Sequence, residues 1–97
     1  MDSSQKNKIL NQFVARRLVQ YRIHNGMSQE RLAKHLGVTP ERIRRVESGA
    51  QHLEAISLYA ACEVFGTSMA AFFKCYKGFE EQYQSRARSS SASAACR

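Results

Sequence analysis

The stretch that decides the fold runs from residue 28 to residue 49: Ser28-Gln-Glu-Arg-Leu-Ala-Lys-His-Leu-Gly37-Val-Thr-Pro40-Glu-Arg-Ile-Arg-Arg-Val-Glu-Ser-Gly49. Ser28 suits an N-cap, with Arg31 standing where a full capping box has Glu or Gln. A short helix follows to Leu36 and stops at Gly37, a residue able to take the left-handed conformation that a sharp turn needs. Thr39 caps the next helix, and Pro40 occupies its first position, where a missing N–H costs nothing. That second helix spans about 40–48 and ends before Gly49. Two short helices joined by a tight turn make a helix-turn-helix. Leu32, Leu36, Val38, Ile43 and Val46 face inward and fix the angle between the helices, and Ala33 is small where they cross closely. Glu41, Arg42, Arg44, Arg45 and Ser48 are left outward on the second helix.

Helical signals continue on both sides. Phe13, Val14, Arg17, Leu18, Tyr21 and Arg22 recur at helical spacing, and Asn25-Gly26 ends that helix. A fourth helix runs from about Glu54 to Phe65 and ends at Gly66. Ser68 caps a fifth that reaches at least Tyr76. No stretch reads as a strand, so the fold class is all-α. Residues 1–8 are polar and read as a flexible N-terminus. Residues 9–77 form the helix-turn-helix domain and 78–84 a C-terminal helical extension. Residues 85–97 contain no large apolar side chain and read as a disordered basic tail, because they cannot bury enough surface to offset the entropy of ordering.

Composition bounds what such a chain does. Its 97 residues allow one small domain, and a 43% hydrophobic content supplies one core. No apolar run approaches the ~18 residues that a membrane span requires, and the N-terminus lacks the apolar core of a secretory signal. The three cysteines, Cys62, Cys75 and Cys96, are widely spaced. Their number and spacing argue against a disulfide framework or a zinc site and fit a reducing cytoplasm. Fifteen Lys and Arg against eight Asp and Glu leave a charge of +7, a balance that favours a polyanion such as nucleic acid or an acidic membrane surface. There is no nucleophile elbow, phosphate-binding glycine loop, paired-carboxylate cleft or metal-ligand spacing, so neither an enzyme nor a cofactor is expected.

Residues 13–73 resemble the Xre/Cro-type helix-turn-helix of phage and bacterial repressors. The resemblance rests on Gly26-Met27-Ser28-Gln29-Glu30, Leu32-Ala33, Leu36-Gly37-Val38-Thr39, Ile43, Val46-Glu47-Ser48-Gly49, Leu58-Tyr59 and Phe72-Phe73. The Glu-x-Gly-Ala element at 47–50, Ser-Leu-Tyr at 57–59 and the Phe-Phe pair are similar to a subgroup common in alphaproteobacteria. The resemblance implies a five-helix, phage-repressor-like domain, usually dimeric, that binds operator DNA and regulates transcription.

Carried over by position, the resemblance puts the helix at 40–48 in the major groove, its N-terminal part nearest the base edges. Pro40, Glu41, Arg42 and Arg45 are then the candidates for base readout. Ser28, Gln29, Arg44, Ser48, Gln51 and His52 are the candidates for phosphate contacts. Arg22 and Glu47 match a family ion pair that braces the first helix against the end of the third. Where the subgroup tends to have Gln at 41, 42 and 44, this chain has Glu41, Arg42 and Arg44. Arginine makes bidentate contacts to guanine and glutamate accepts from cytosine, so the site read here differs and is richer in G·C. The usual Asn-Arg after Gly-Ala is replaced by Gln51-His52.

Each signal has a plainer alternative. The arginine trio, taken alone, is also what a solvated helix face looks like; its place on the outward side of a helix-turn-helix favours DNA. Five of the nine aromatic residues fall between 72 and 83. Phe72, Tyr76, Phe79 and Tyr83 follow a 4-3-4 spacing that suits helix pairing and a homodimer. The alternative is that the Phe72-Phe73 pair caps the core and the rest frays. His24, His35 and His52 form no metal cluster, and Cys62 suits a small core residue. The expected function is a sequence-specific transcription regulator, a dimeric repressor on an inverted-repeat operator, located in the cytoplasm with the nucleoid. Two rivals remain. One is a DNA-binding antitoxin of a toxin-antitoxin pair, with a protein partner on the C-terminal segment. The other is a protein-interaction module that retains the fold without DNA binding.

Overall fold

A computed structural model describes the backbone of residues 3–88 and the side chains of residues 5–85. Six helices follow in order: α1 Ser3–His24, α2 Gln29–Leu36, α3 Pro40–Glu47, α4 Ala55–Phe65, α5 Met69–Phe72 and α6 Tyr76–Arg88. All regular structure among the described residues is helical. The first five make the expected domain and α6 is the C-terminal extension. Among the described residues no single helix is long and apolar enough to cross a membrane.

The local chemistry accounts for the helix ends. Ser28, Thr39 and Ser68 cap α2, α3 and α5, their hydroxyl oxygens accepting from the amides of Arg31, Arg42 and Ala71 at 3.0, 3.2 and 3.0 Å. Gly37 ends α2 at φ 70° with its amide bonded back to the carbonyls of Ala33 and Lys34. Leu32, Ala33, Ile43 and Val46 then turn inward and join Leu18, Ala61 and Phe65 in one buried cluster. A second cluster holds Val14, Leu58, Cys62 and Phe72. Tyr21 stacks between Phe65 and Phe72, with ring centroids 5.5 Å from each, and ties the two clusters together.

Three features differ from the sequence expectations. Residues 3–8, read as a flexible lead, are the opening turns of α1. Ile9 is fully buried and lies one turn before Phe13, so the apolar stripe of α1 begins earlier than expected. The fifth helix does not reach Tyr76. It stops at Phe72, and Cys75 adopts a left-handed φ of 76° before α6 begins. Arg17 explains the break, because its guanidinium donates to the carbonyls of Phe72 at 3.1 Å, Lys74 at 3.1 Å and Ala71 at 3.5 Å. Carbonyls held this way no longer need amides from a continuing helix. Cys62 is the buried free thiol, whereas Cys75 is disulfide-bonded, which runs against the expectation drawn from cysteine number and spacing. Residues 85–88, read as the start of a disordered basic tail, are the last turn of α6, and the rest of that tail, 89–97 with Cys96, lies outside the described residues.

Of the four dimer-interface candidates, Phe72 is corrected, while Tyr76, Phe79 and Tyr83 are half-buried within the chain. Phe72 is 0% exposed, so it has no surface to offer a partner. Tyr76 and Phe79 pack edge-on against Phe13 of α1, at centroid distances of 5.2 and 5.4 Å. Tyr83 leans on Phe79 at 6.4 Å. The break at Cys75 splits the 4-3-4 spacing between two helices, and its rings fasten α6 to the chain's own first helix.

Candidate nucleic-acid interface

Apolar spacing sets the outward face of α3. Ile43 and Val46 are 0% and 1% exposed, which rolls Glu41, Arg44, Arg45 and Ser48 into solvent. Arg42 sits at the edge of this face, half-buried, with its Nε enclosed and without a hydrogen-bond partner among the described residues. Pro40 is half-buried at the first turn, where its ring fits because the helix needs no amide there. Ser48 closes the helix, its Oγ donating to the carbonyl of Arg45 at 2.9 Å.

Behind this face stands a hub built on Glu47. Arg22 Nε donates to one carboxylate oxygen at 2.7 Å and Arg22 Nη2 to the other at 3.2 Å. Gln29 Nε2 donates to the second oxygen at 2.8 Å. Arg22 also reaches the carbonyl of Met27 at 2.8 Å. The two charged side chains are only 14% and 6% exposed, so the pair is shielded from solvent. The carboxylate thereby joins α1, α2 and α3, and it fixes the rotamer of Gln29 at the first position of α2. An amide nitrogen carries two protons, so Gln29 retains one after bonding Glu47.

The turn after α3 is fixed just as tightly. Gly49 has φ 82°, and a Cβ there would sit 2.6 Å from Gln12 Nε2 of α1. The left-handed φ is what favours glycine here, since the Gln12 carboxamide ends a flexible side chain. Gln51 is half-buried and His52 exposed. His52 lies with Leu10, Val14, Leu53, Leu58 and Phe73 along a groove of about 530 Å³ between α1, α4 and α5, away from the arginines of α3 in its contacts. Ser28 is exposed and spends its Oγ on the cap of α2.

The arrangement offers cations and polar groups on the outer face of α3. No group of three or more metal-ligating side chains occurs among the described residues. Two features escape sequence reasoning. Arg17 serves the end of α5 in place of solvent or DNA, and Gln12 touches the helix-turn-helix at Gly49. The second was hinted at by Ile9, whose spacing from Phe13 extends α1 towards that turn.

Comparison with known proteins agrees with this geometry. Residues 18–72, more than half of the chain, match the HTH_3 helix-turn-helix family model. The fold is similar to the clp gene regulator ClgR from Corynebacterium glutamicum, with a TM-score of 0.71 at 21% identity over 81% of this chain and 85% of that one. It is similar to a point mutant of the restriction-modification controller protein C.Esp1396I, with a TM-score of 0.62 at 25% identity over 70% and 86%. It is also similar to an HTH_3 family transcriptional regulator from Vibrio cholerae, with a TM-score of 0.64 at 19% identity over 81% and 43%. No curated protein matches the chain significantly. By that match over more than half of its length, the chain belongs to the HTH_3 helix-turn-helix family, whose members are DNA-binding regulators and not enzymes.

Proposed function

We propose that the protein is a sequence-specific transcription regulator that acts as a dimeric repressor on an inverted-repeat operator. The observation that carries this is the rolled position of α3, with Ile43 and Val46 fully buried and Arg44 and Arg45 exposed on the other side. Arg42, Arg45 and Glu41 read base edges from the N-terminal half of α3, with Pro40 close to them. Arg44, Ser28, Gln29 and Ser48 fix register on phosphates, with Gln51 and His52 at the margin. The hub at Glu47 supports this division of labour, because it holds Gln29 in one rotamer beside the recognition helix.

An inverted repeat needs a two-fold protein, whose recognition helices lie about 34 Å apart. The aromatic seam is engaged within the chain, so a second copy pairs through other apolar surface. α4 supplies it: Ile56 is 84% exposed and Tyr59, one turn on, is 56% exposed. Burial of such residues in a self-complementary contact is what a two-fold interface requires. The protein works in the cytoplasm, on double-stranded DNA.

The test is a salt titration of binding to labelled duplex DNA, followed by fluorescence anisotropy. Each phosphate neutralised contributes about 0.9 to the slope of log affinity against log salt. A steep slope is expected. Affinity that stays flat across salt, or no binding by folded protein at low salt, contradicts the proposal and favours a protein-interaction module.

A further inference from the structure

A second run of uncompensated positive charge lies on α1. α1 carries Lys6, Lys8, Arg16, Arg17 and Arg22 over its 22 residues and has no Asp or Glu. Arg22 is neutralised by Glu47, and Arg17 is taken up by the carbonyls at the end of α5. Lys6, Lys8 and Arg16 remain exposed, with no ion pair among the described residues. The Gln12 carboxamide of the same helix lies against the turn at Gly49 that closes the helix-turn-helix. Arg16 follows Gln12 by one turn on the same face of α1.

Gln12 and Arg16 face α6 across a groove of about 170 Å³, completed by Phe79, Gln82 and Tyr83. The Arg16 guanidinium lies over the Phe79 ring, 5.5 Å from its centroid. A stacked guanidinium keeps its in-plane N–H fork free, the shape that grips a phosphate. Gln12 and Gln82 add neutral amide donors. None of the described lining residues is acidic. Glu80 is turned towards Tyr76 and Lys77, and Glu81 is exposed outside the lining. α6 then runs on to Arg86 and Arg88 in the sequence.

We infer that the α1–α6 groove binds a backbone phosphate of the DNA that flanks the half-site, so that the footprint extends beyond the helix-turn-helix. The inference rests on the reading of α3 as a DNA-binding helix, and its test separates the two. Full-length protein is titrated with a fluorescein-labelled random-sequence duplex of about 40 base pairs across a range of salt. The thermal transition of each variant is measured alongside. Arg16→Gln is expected to lower affinity by about three- to tenfold and to reduce the salt slope by about 0.9, the contribution of one phosphate. Arg16→Lys restores the slope. If Arg16 only covers Phe79, Arg16→Gln lowers the melting temperature and leaves the slope unchanged, and the inference is wrong. If Arg45→Gln weakens binding while Arg16→Gln matches the parent in both affinity and slope, the reading of α3 stands and this one falls. If the parent protein binds no DNA at low salt, both fall together.

Discussion

Single side chains divide between reading and bracing. Arg42 and Arg45 make no hydrogen bond through their guanidinium groups among the described residues, so their truncation leaves the helix pair intact. Arg42→Ala and Arg45→Ala are each expected to lower operator affinity by about 1–3 kcal/mol if a bidentate base contact is lost, with an unchanged melting temperature. Unchanged binding in both variants removes them from the readout. Glu47 is the opposite case. Its removal leaves Arg22 shielded and unpaired and frees Gln29, so Glu47→Ala is expected to cost about 2–4 kcal/mol in denaturant unfolding. A loss below about 0.5 kcal/mol contradicts the hub. Cys62 is 1% exposed, and burial pushes its thiol pKa up. The thiolate is the form that reacts, so a thiol reagent at pH 8 is expected to spare Cys62 until denaturant is added. Peptide mapping that finds Cys62 modified in the folded protein contradicts its place in the core.

At the scale of elements, the sequence made α2 and α3 legible because every signal agreed there. Ser28 and Thr39 capped, Pro40 opened, Gly37 turned, and the apolar residues fell at helical spacing. The ends of α5 and the placement of α6 were not legible. They depend on Arg17, more than 50 residues away in sequence, whose guanidinium takes carbonyls that no local pattern assigns. The 4-3-4 aromatic spacing was real, but periodicity reports an apolar face and not what covers it. Here Phe13 covers it. Accordingly, Phe79→Ala is expected to destabilise the fold by about 2 kcal/mol or more, and not to change the mass measured by sedimentation. A shift to a smaller species with unaltered stability reinstates the seam as an interface. The ion pair between Arg22 and Glu47 came from family resemblance, and its third partner, Gln29, was visible only in three dimensions.

For the whole molecule, charge is the feature that points to a partner. The net charge of +7 is unevenly used: Arg17 and Arg22 are spent inside the fold, while Arg44, Arg45 and the basic side of α1 remain in solvent. On the proposed function, this distribution supplies electrostatic attachment to DNA, to which α3 adds specificity. Pairing through α4 would give it two-fold symmetry. Ile56→Asp with Tyr59→Ser is therefore expected to shift the protein towards monomer in sedimentation and to weaken binding to a two-site duplex more than to a single half-site. Equal effects on both duplexes would place the pairing surface elsewhere.

The most direct test of the central claim is selection of bound sequences from a random duplex pool by the full-length protein at moderate salt. The account predicts an enriched inverted repeat, with half-sites about one helical turn apart and altered preference when Arg42 or Arg45 is replaced. Folded protein that enriches no sequence would contradict it.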